Sequence, residues 1–286
     1  MSPPRGAAGA SPPAGRRQRP GKAGAAASTG WRVLCLLLLC GLSLQLYFVA
    51  RIGLMLVLAP QSTAFQRSEV WRLLQAGKGL HWQQDWVADG QIASHLKRAV
   101  IASEDAGFVD HSGVEWDALE RAWEKNQRAE GLAAKRNAQL EKRTPPKATT
   151  PGPAAPAAKP KVEPKLVGGS TISQQLAKNL FLSGERTAVR KAQEFVLTLT
   201  LEALLSKRRI LEIYLNNVEW GEGVFGAQAA AQHYFHLDAA RLPAAAAARL
   251  AVMLPAPKRF EKNPGSAYVA GRAATIAARM GGVEIP

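Results

Sequence analysis

An apolar run from Val33 to Ala50, resumed as Ile52 to Ala59 after a single Arg51, constrains this chain more than any other feature. It is long enough to cross a bilayer core of about 30 Å. A cleaved signal peptide is the competing reading, because basic residues precede the run. The run is too long for a signal h-region, however, and no convincing small-x-small cleavage site follows it closely. A retained transmembrane helix is therefore expected over residues 31–59. Cys40 fails as a lipoprotein acceptor because Leu39 stands where a small residue is needed. Basic residues ahead of the span place the N-terminus in the cytoplasm and the remainder outside. Arg51 can snorkel to the outer interface. The two cysteines, Cys35 and Cys40, both fall inside the span, so the outer body has no disulfide, no Cys-based metal site and no thiol nucleophile.

Formal net charge is +15 over 286 residues, which would ordinarily suggest nucleic acid as a partner. The location of the charge argues against that. Residues 1–60 hold Arg5, Arg16, Arg17, Arg19, Lys22, Arg32 and Arg51 and no acid. Residues 125–165 hold ten basic residues against Glu130, Glu141 and Glu163. What is left is close to neutral. Basicity confined to a tail and an insert suits an anionic membrane surface better than a DNA-reading face. Residues 1–30 have almost nothing to bury and are expected to be a disordered cytoplasmic tail.

Beyond a connector at residues 60–90, the spacing of Ile92, Leu96, Ala99, Val100 and Ser103 predicts a helix over Gln91–Glu104. Trp116, Leu119 and Trp123 predict another. From about Lys125 to Lys165 the composition turns to Ala, Lys, Arg and Pro; its first part extends the preceding helix and the rest is too poor in apolar residues to fold. Helices are then expected at Thr171–Phe181, Thr187–Leu205, Lys207–Asn217, Ala227–Phe235, Pro243–Leu254 and Ala267–Met280. The body should be mainly α.

Several polar runs sit on these helices. The run Gly168-Gly169-Ser170-Thr171-Ile172-Ser173-Gln174-Gln175-Leu176-Ala177-Lys178-Asn179 opens with capping-box spacing between Thr171 and Gln174. Thr171, Gln175 and Lys178 share one face, while Ile172, Leu176 and Leu180 form an apolar stripe. Hydroxyls, amides and a lysine suit an anionic, sugar-bearing ligand; the plainer reading is a solvated amphipathic helix. Glu104-Asp105 closes an apolar helix, where partial desolvation raises a carboxyl pKa and fits it for proton transfer. A solvated helix end stopped by Gly107 is the alternative. Arg190 and Glu194 stand at i, i+4, the spacing of a surface ion pair, yet they lead into an apolar stretch at Phe195–Leu205 and are expected where that helix meets a cleft. In the run Lys207–Asn217, Glu212, Tyr214 and Asn216 read as mostly structural.

Taken in order, these runs resemble the five motifs of the peptidoglycan glycosyltransferases, the transglycosylase domain shared by bifunctional penicillin-binding proteins and monofunctional enzymes. The motifs lie at Glu104–Gly113, Gly168–Asn179, Arg190–Glu194, Ile210–Asn216 and Leu250–Pro255, and the resemblance covers about residues 91–280, interrupted by the Pro-rich insert. It implies a mainly helical fold with a lysozyme-like lobe and a smaller membrane-facing jaw, outside the bacterial inner membrane. It implies attack by the 4-hydroxyl of lipid II on the anomeric carbon of the growing glycan, with inversion and loss of undecaprenyl pyrophosphate. By resemblance Glu104 is the general base and Glu194 the second carboxylate. Lys178, Arg190 and Lys191 would meet the diphosphate, and Thr171, Gln174 and Gln175 would bond phosphate or sugar. Asp105, Phe108, His111, Ser170 and Asn179 complete the expected substrate-binding set.

A hydrolase on a similar lobe is the rival, since both reactions use paired carboxylates. The cations favour transfer, because a pyrophosphate leaving group needs positive charge rather than an acid. A non-catalytic wall scaffold would be expected to lack Glu104 or Glu194. No Asp-x-Asp motif points to a nucleotide-sugar donor, and Ser94-His95-Leu96-Lys97 without Lys-Thr-Gly is a weak transpeptidase signal, so the chain reads as monofunctional. His233 and His236 are read as packing beside Tyr234 rather than as metal ligands. No cofactor is required, although Mg2+ or Mn2+ at the pyrophosphate is compatible with the chemistry. Expected partners are lipid II, the nascent glycan strand, membrane lipids and other cell-wall synthesis or division proteins, with no nucleic acid.

Overall fold

The structure, a computed structural model, describes residues 22–77, 79, 81–143, 169–182, 184–185 and 187–286. The expectations for residues 1–21 and 144–168 lie outside them. The chain divides after Val49 into two compact units. The first consists of most of helix α1, Lys22–Leu54, whose segment Thr29–Leu54 is long and apolar enough to cross a membrane. The helix starts ahead of the expected Trp31 because Ala23 and the run Ala25–Ala27 are strong helix formers and extend it upstream. It also ends at Leu54 rather than Ala59, giving way to turns before Pro60.

The second unit is mainly α. Helix α2 (Ala64–Gln75) is followed by the two-residue strand β1 (Gln83–Gln84), α3 (Ser94–Glu104), α4 (Trp116–Arg143), α5 (Ile172–Phe181), α6 (Ala188–Leu204) and α7 (Lys207–Asn217). Strands β2 (Glu219–Gly221) and β3 (Val224–Phe225) precede α8 (Ala227–Phe235), α9 (Ala244–Met253), α10 (Pro257–Phe260) and α11 (Ala267–Arg279). The strands form one small sheet, ordered β1-β3-β2. Five helices begin on a Ser or Thr hydroxyl that accepts a backbone N–H of the first turn: Thr63, Thr171, Thr187, Ser206 and Ser266. Each cap replaces a hydrogen bond that the helix start cannot make for itself.

Two packing groups form the core. In one, α3 lies against α9 and α11, burying Leu96, Val100 and Ile101 with Leu250, Val269 and Ile276. The alanines of α9 keep the approach close. In the other, α5 lies against α2, α6 and α7, and its stripe Ile172, Leu176 and Leu180 is buried as the periodicity required. Leu197, Leu201, Ile210 and Tyr214 complete that group.

Helix α2 falls in the expected connector. Its buried positions are Gln66, Glu69 and Leu73, so two of the three residues facing inward are polar and the apolar periodicity is missing. Glu69 is held by Arg72 at 2.8 Å and by Lys258. Lys258 also lies 3.3 Å from Glu219. Burial outweighs that ion pair and pushes the Glu219 carboxyl up to about 7. The folded protein therefore holds this proton more tightly than the unfolded chain does. The resulting penalty appears as pH rises from the ordinary 4.5 towards about 7 and is complete above it. Glu219→Gln should remove it, raising stability at pH 8 by about 1–2 kcal/mol and at pH 5 by much less. Thermal denaturation of variant and wild type at the two pH values measures the difference.

Candidate active site

The end of α3, the loop after it and the start of α5 are fastened together by one carboxylate. Asp105 is 5% exposed. Its Oδ1 lies 2.8 Å from His111 Nε2, and its Oδ2 accepts the backbone N–H of Ile172 at 3.0 Å, in the first turn of α5. A carboxylate at a helix N-terminus both satisfies an orphan donor and faces the positive end of the helix dipole. The backbone N–H of Gly113 donates to His111 Nδ1 at 3.1 Å, which leaves Nε2 to carry the proton towards Asp105. Thr171 Oγ1 donates to the Gly113 carbonyl at 2.6 Å and itself accepts the Gln174 N–H. Gly113 has φ of +90°, and a Cβ there would come within 2.8 Å of Thr198 and Glu202 side-chain carbons. No other residue fits this corner.

Glu104 stands at the C-terminus of α3, beside a cavity of about 200 Å³ whose walls include Glu115, Arg121, Lys125, Ser170 and Thr171. Burial pushes its carboxyl above the ordinary range; hydrogen bonds from Gln175 and Ser103 and the charge of Arg272 oppose the shift, and Asp105 adds to it. Gln175 Nε2 donates to Glu104 Oε2 at 3.0 Å, while Ser103 Oγ is a long 3.4 Å from Oε1. Behind Gln175, the Tyr214 hydroxyl donates to Oε1 of the same amide at 2.9 Å.

One turn further along α5 is Lys178. It keeps solvent access, yet the protein packed around its ammonium lowers its pKa, as do Arg190 and Lys191, while Glu194 opposes the shift. Glu194 is 4% exposed and binds both cations of its own helix, Arg190 at 2.9 Å and Lys191 at 2.5 Å. The Arg190 Nε is buried without a hydrogen-bond partner. Lys178, Arg190 and Lys191 thus converge around one committed carboxylate, leaving net positive charge at this end.

The expected site residues divide into two sets. Glu104, Gln175, Lys178, Asn179, Arg190, Lys191 and Ser170 all keep at least partial access to solvent. Asp105, Phe108, Thr171 and Gln174 are buried, and His111 is turned onto Asp105. These side chains face the interior and back the exposed set from behind. Phe108 is fully buried, edge-on to His111, with the Lys207 ammonium 4.5 Å from its ring centroid. Thr171 turns inward because it caps the helix instead of lying on its face. Asp105, His111 and Glu115 also bring three potential metal ligands together. Their donor atoms are already engaged: Asp105 by His111 and Ile172, His111 by Gly113, and Glu115 by Arg121 at 2.9 Å. His233 packs edge-on against Tyr234, as expected. Missing from the expected set are Arg272, Arg121, Lys125 and Tyr214. The first three lie outside the polar runs, and Tyr214 reads as core because its ring is core.

Comparison with known proteins gives a match to the transglycosylase family over residues 73–135 and 155–281. The gap between the matched segments falls within the basic insert. The chain is 49% identical over 245 residues to the biosynthetic peptidoglycan transglycosylase of Burkholderia pseudomallei (strain K96243), covering 86% of this chain and 83% of that protein. It is 46% identical over 246 residues to the protein of the same description from Paraburkholderia phytofirmans, covering 86% and 88%. With that of Herminiimonas arsenicoxydans, identity is 46% over 256 residues, covering 90% and 96%.

The fastening at Asp105 has a measurable weight. Asp105→Ala leaves the Ile172 N–H and the His111 ring without their acceptor and should destabilise the body by about 2–4 kcal/mol. Asp105→Asn, which can still accept from Ile172, should cost less than half of that. Thermal denaturation of the two variants beside wild type measures both.

Proposed function

The chain belongs to the transglycosylase family, and from that premise we propose that it polymerises lipid II into linear peptidoglycan strands for the cell wall. Each addition is an inverting glycosyl transfer that releases undecaprenyl pyrophosphate. The observation that carries this reading is the pairing of a desolvated carboxylate, Glu104, bonded to Gln175 of α5, with Lys178 one turn further along that helix and with Arg190 and Lys191 of α6.

The chemistry follows from that pairing. A sugar hydroxyl is a weak nucleophile until its proton is taken in the transition state. Glu104 takes the proton of the acceptor 4-hydroxyl. The freed oxygen bonds to the anomeric carbon from the face opposite the diphosphate, and the carbon–oxygen bond to the diphosphate breaks. Gln175 occupies Oε2, so Oε1, with only its long contact to Ser103, is the oxygen assigned to receive the proton. Burial makes the carboxylate a stronger base than an exposed one. Charge accumulates on the leaving diphosphate, where Lys178, Arg190 and Lys191 stabilise it. Glu194 holds Arg190 and Lys191 in place rather than touching the reacting sugar. Ser170 and Asn179 supply neutral contacts. Glu194 is committed to Arg190 and Lys191, so any Mg2+ or Mn2+ at the diphosphate would draw chiefly on substrate oxygens and water. A hydrolase would need an acid where these cations stand.

The apolar helix and the basic residues before it support a place in the bacterial inner membrane, and we infer an N-terminus in the cytoplasm and a catalytic body outside, with membrane lipids and other wall-synthesis or division proteins as neighbours. The test is polymerisation of purified lipid II by the full-length protein in vesicles. Glu104→Gln should lower the rate by about 10²–10⁴-fold and Lys178→Ala by about 10²-fold. Activity should persist in a chelator. Release of soluble muropeptides from sacculi, without strand formation, would establish hydrolysis instead.

A further inference from the structure

We propose that Tyr214 is a positioning residue for the catalytic base, acting through Gln175. The inference rests on Glu104 being the base. It starts from an ambiguity in the glutamine side chain, which can present either its carbonyl or its NH2 group to a neighbour. Only the NH2 group supports an ionised carboxylate. The Tyr214 hydroxyl donates to Gln175 Oε1 at 2.9 Å, and the opposite edge of the same amide donates to Glu104 Oε2 at 3.0 Å. The phenol thus engages the carbonyl edge and directs the donor edge at the base.

Tyr214 is suited to that task. It is 1% exposed, on α7, in the core group that holds α5. Burial, with the nearby charges of Glu104 and Asp105, holds its pKa well above the ordinary value, so it remains a neutral donor throughout the working range. Phenylalanine keeps the ring and its packing. It leaves Oε1 of Gln175 without that donor and the amide free to turn. The arrangement links three elements in one line: α7 orients a side chain on α5, which orients the carboxylate at the end of α3.

The effect on pH dependence has a definite sign. The Gln175 hydrogen bond lowers the Glu104 pKa, against the upward push of burial and Asp105 and beside the smaller lowering by Ser103 and by Arg272 of α11. A loosened amide gives up part of that lowering. The ionised base then persists only at higher pH, and the acid limb of the kcat profile moves upward.

The experiment measures kcat and KM for lipid II polymerisation against pH, using full-length wild type, Tyr214→Phe, Gln175→Leu, the double variant and Glu104→Gln. Tyr214→Phe should lose about five- to tenfold in kcat, the worth of about one hydrogen bond, with KM within about twofold and the acid limb at higher pH. In the Gln175→Leu background the same change should have no further effect on rate or profile. An unmoved acid limb in Tyr214→Phe overturns the proposal. So does a loss of equal size in both backgrounds, which would assign Tyr214 to packing alone. Glu104→Gln separates the two levels: if it remains active the base assignment falls, whereas if it is inactive and Tyr214→Phe behaves as wild type, only the positioning role falls.

Discussion

The Asp105 carboxylate is the interaction on which the rest of the site depends. Its two oxygens face different parts of the chain, one towards the His111 ring in its own loop and one towards the N-terminus of α5, 67 residues further along. Between those two points lies the whole of α4 and the basic insert. The contact therefore closes a long loop, and the entropy of closing such a loop grows only slowly with its length. The buried, charge-assisted contact at the loop's ends is joined by the Thr171–Gly113 and Gln175–Glu104 bonds, and together they hold the end of α3 to the start of α5.

A second consequence follows from where polar groups are satisfied. Glu104 and Lys178 are both shielded by surrounding protein, and each is shifted towards its neutral form by that shielding. Neither has a strong counter-ion of its own. Glu194, by contrast, has two, and Glu202 is held by Lys207 and Ser173. Committed ion pairs thus form the frame, and on the proposed reading the incompletely compensated Glu104 and Lys178 are left for the chemistry. This separation explains why residues close together in sequence, such as Glu104 and Asp105, have different tasks.

Much of this was legible in the sequence, and the failures have physical causes. The α5 stripe of Ile172, Leu176 and Leu180 and the Thr171–Gln174 capping box appear as their spacing required. Periodicity does not distinguish a residue that lies on a helix face from one that caps the end. That is why Thr171 read as part of a binding face although its hydroxyl is spent on Gly113. Motif residues such as Phe108 and His111 read as ligand contacts because resemblance marks importance without marking depth. Helix α2 escaped notice because its inward side includes Gln66, spent on the capping box with Thr63, and Glu69, paired with Arg72 and Lys258. Tyr214 was hidden for the opposite reason: its ring obeys the core pattern, and only its hydroxyl departs from it.

Helix α5 places Gln175 and Lys178 three residues apart, on one unbroken turn. On the proposed reading the amide steadies the group that removes a proton, and the ammonium faces the group that departs with the electrons of the broken bond. Their separation along the axis is therefore metered by helical rise, at about 1.5 Å per residue, and not by the packing of one lobe on another. Glu104 itself stands on α3, so the spacing set by α5 is that of its amide partner and of the ammonium, not of the carboxylate. The turn is thus a ruler for these two supports, and the single hydrogen bond from Gln175 to Glu104 is what ties the carboxylate of α3 to its scale.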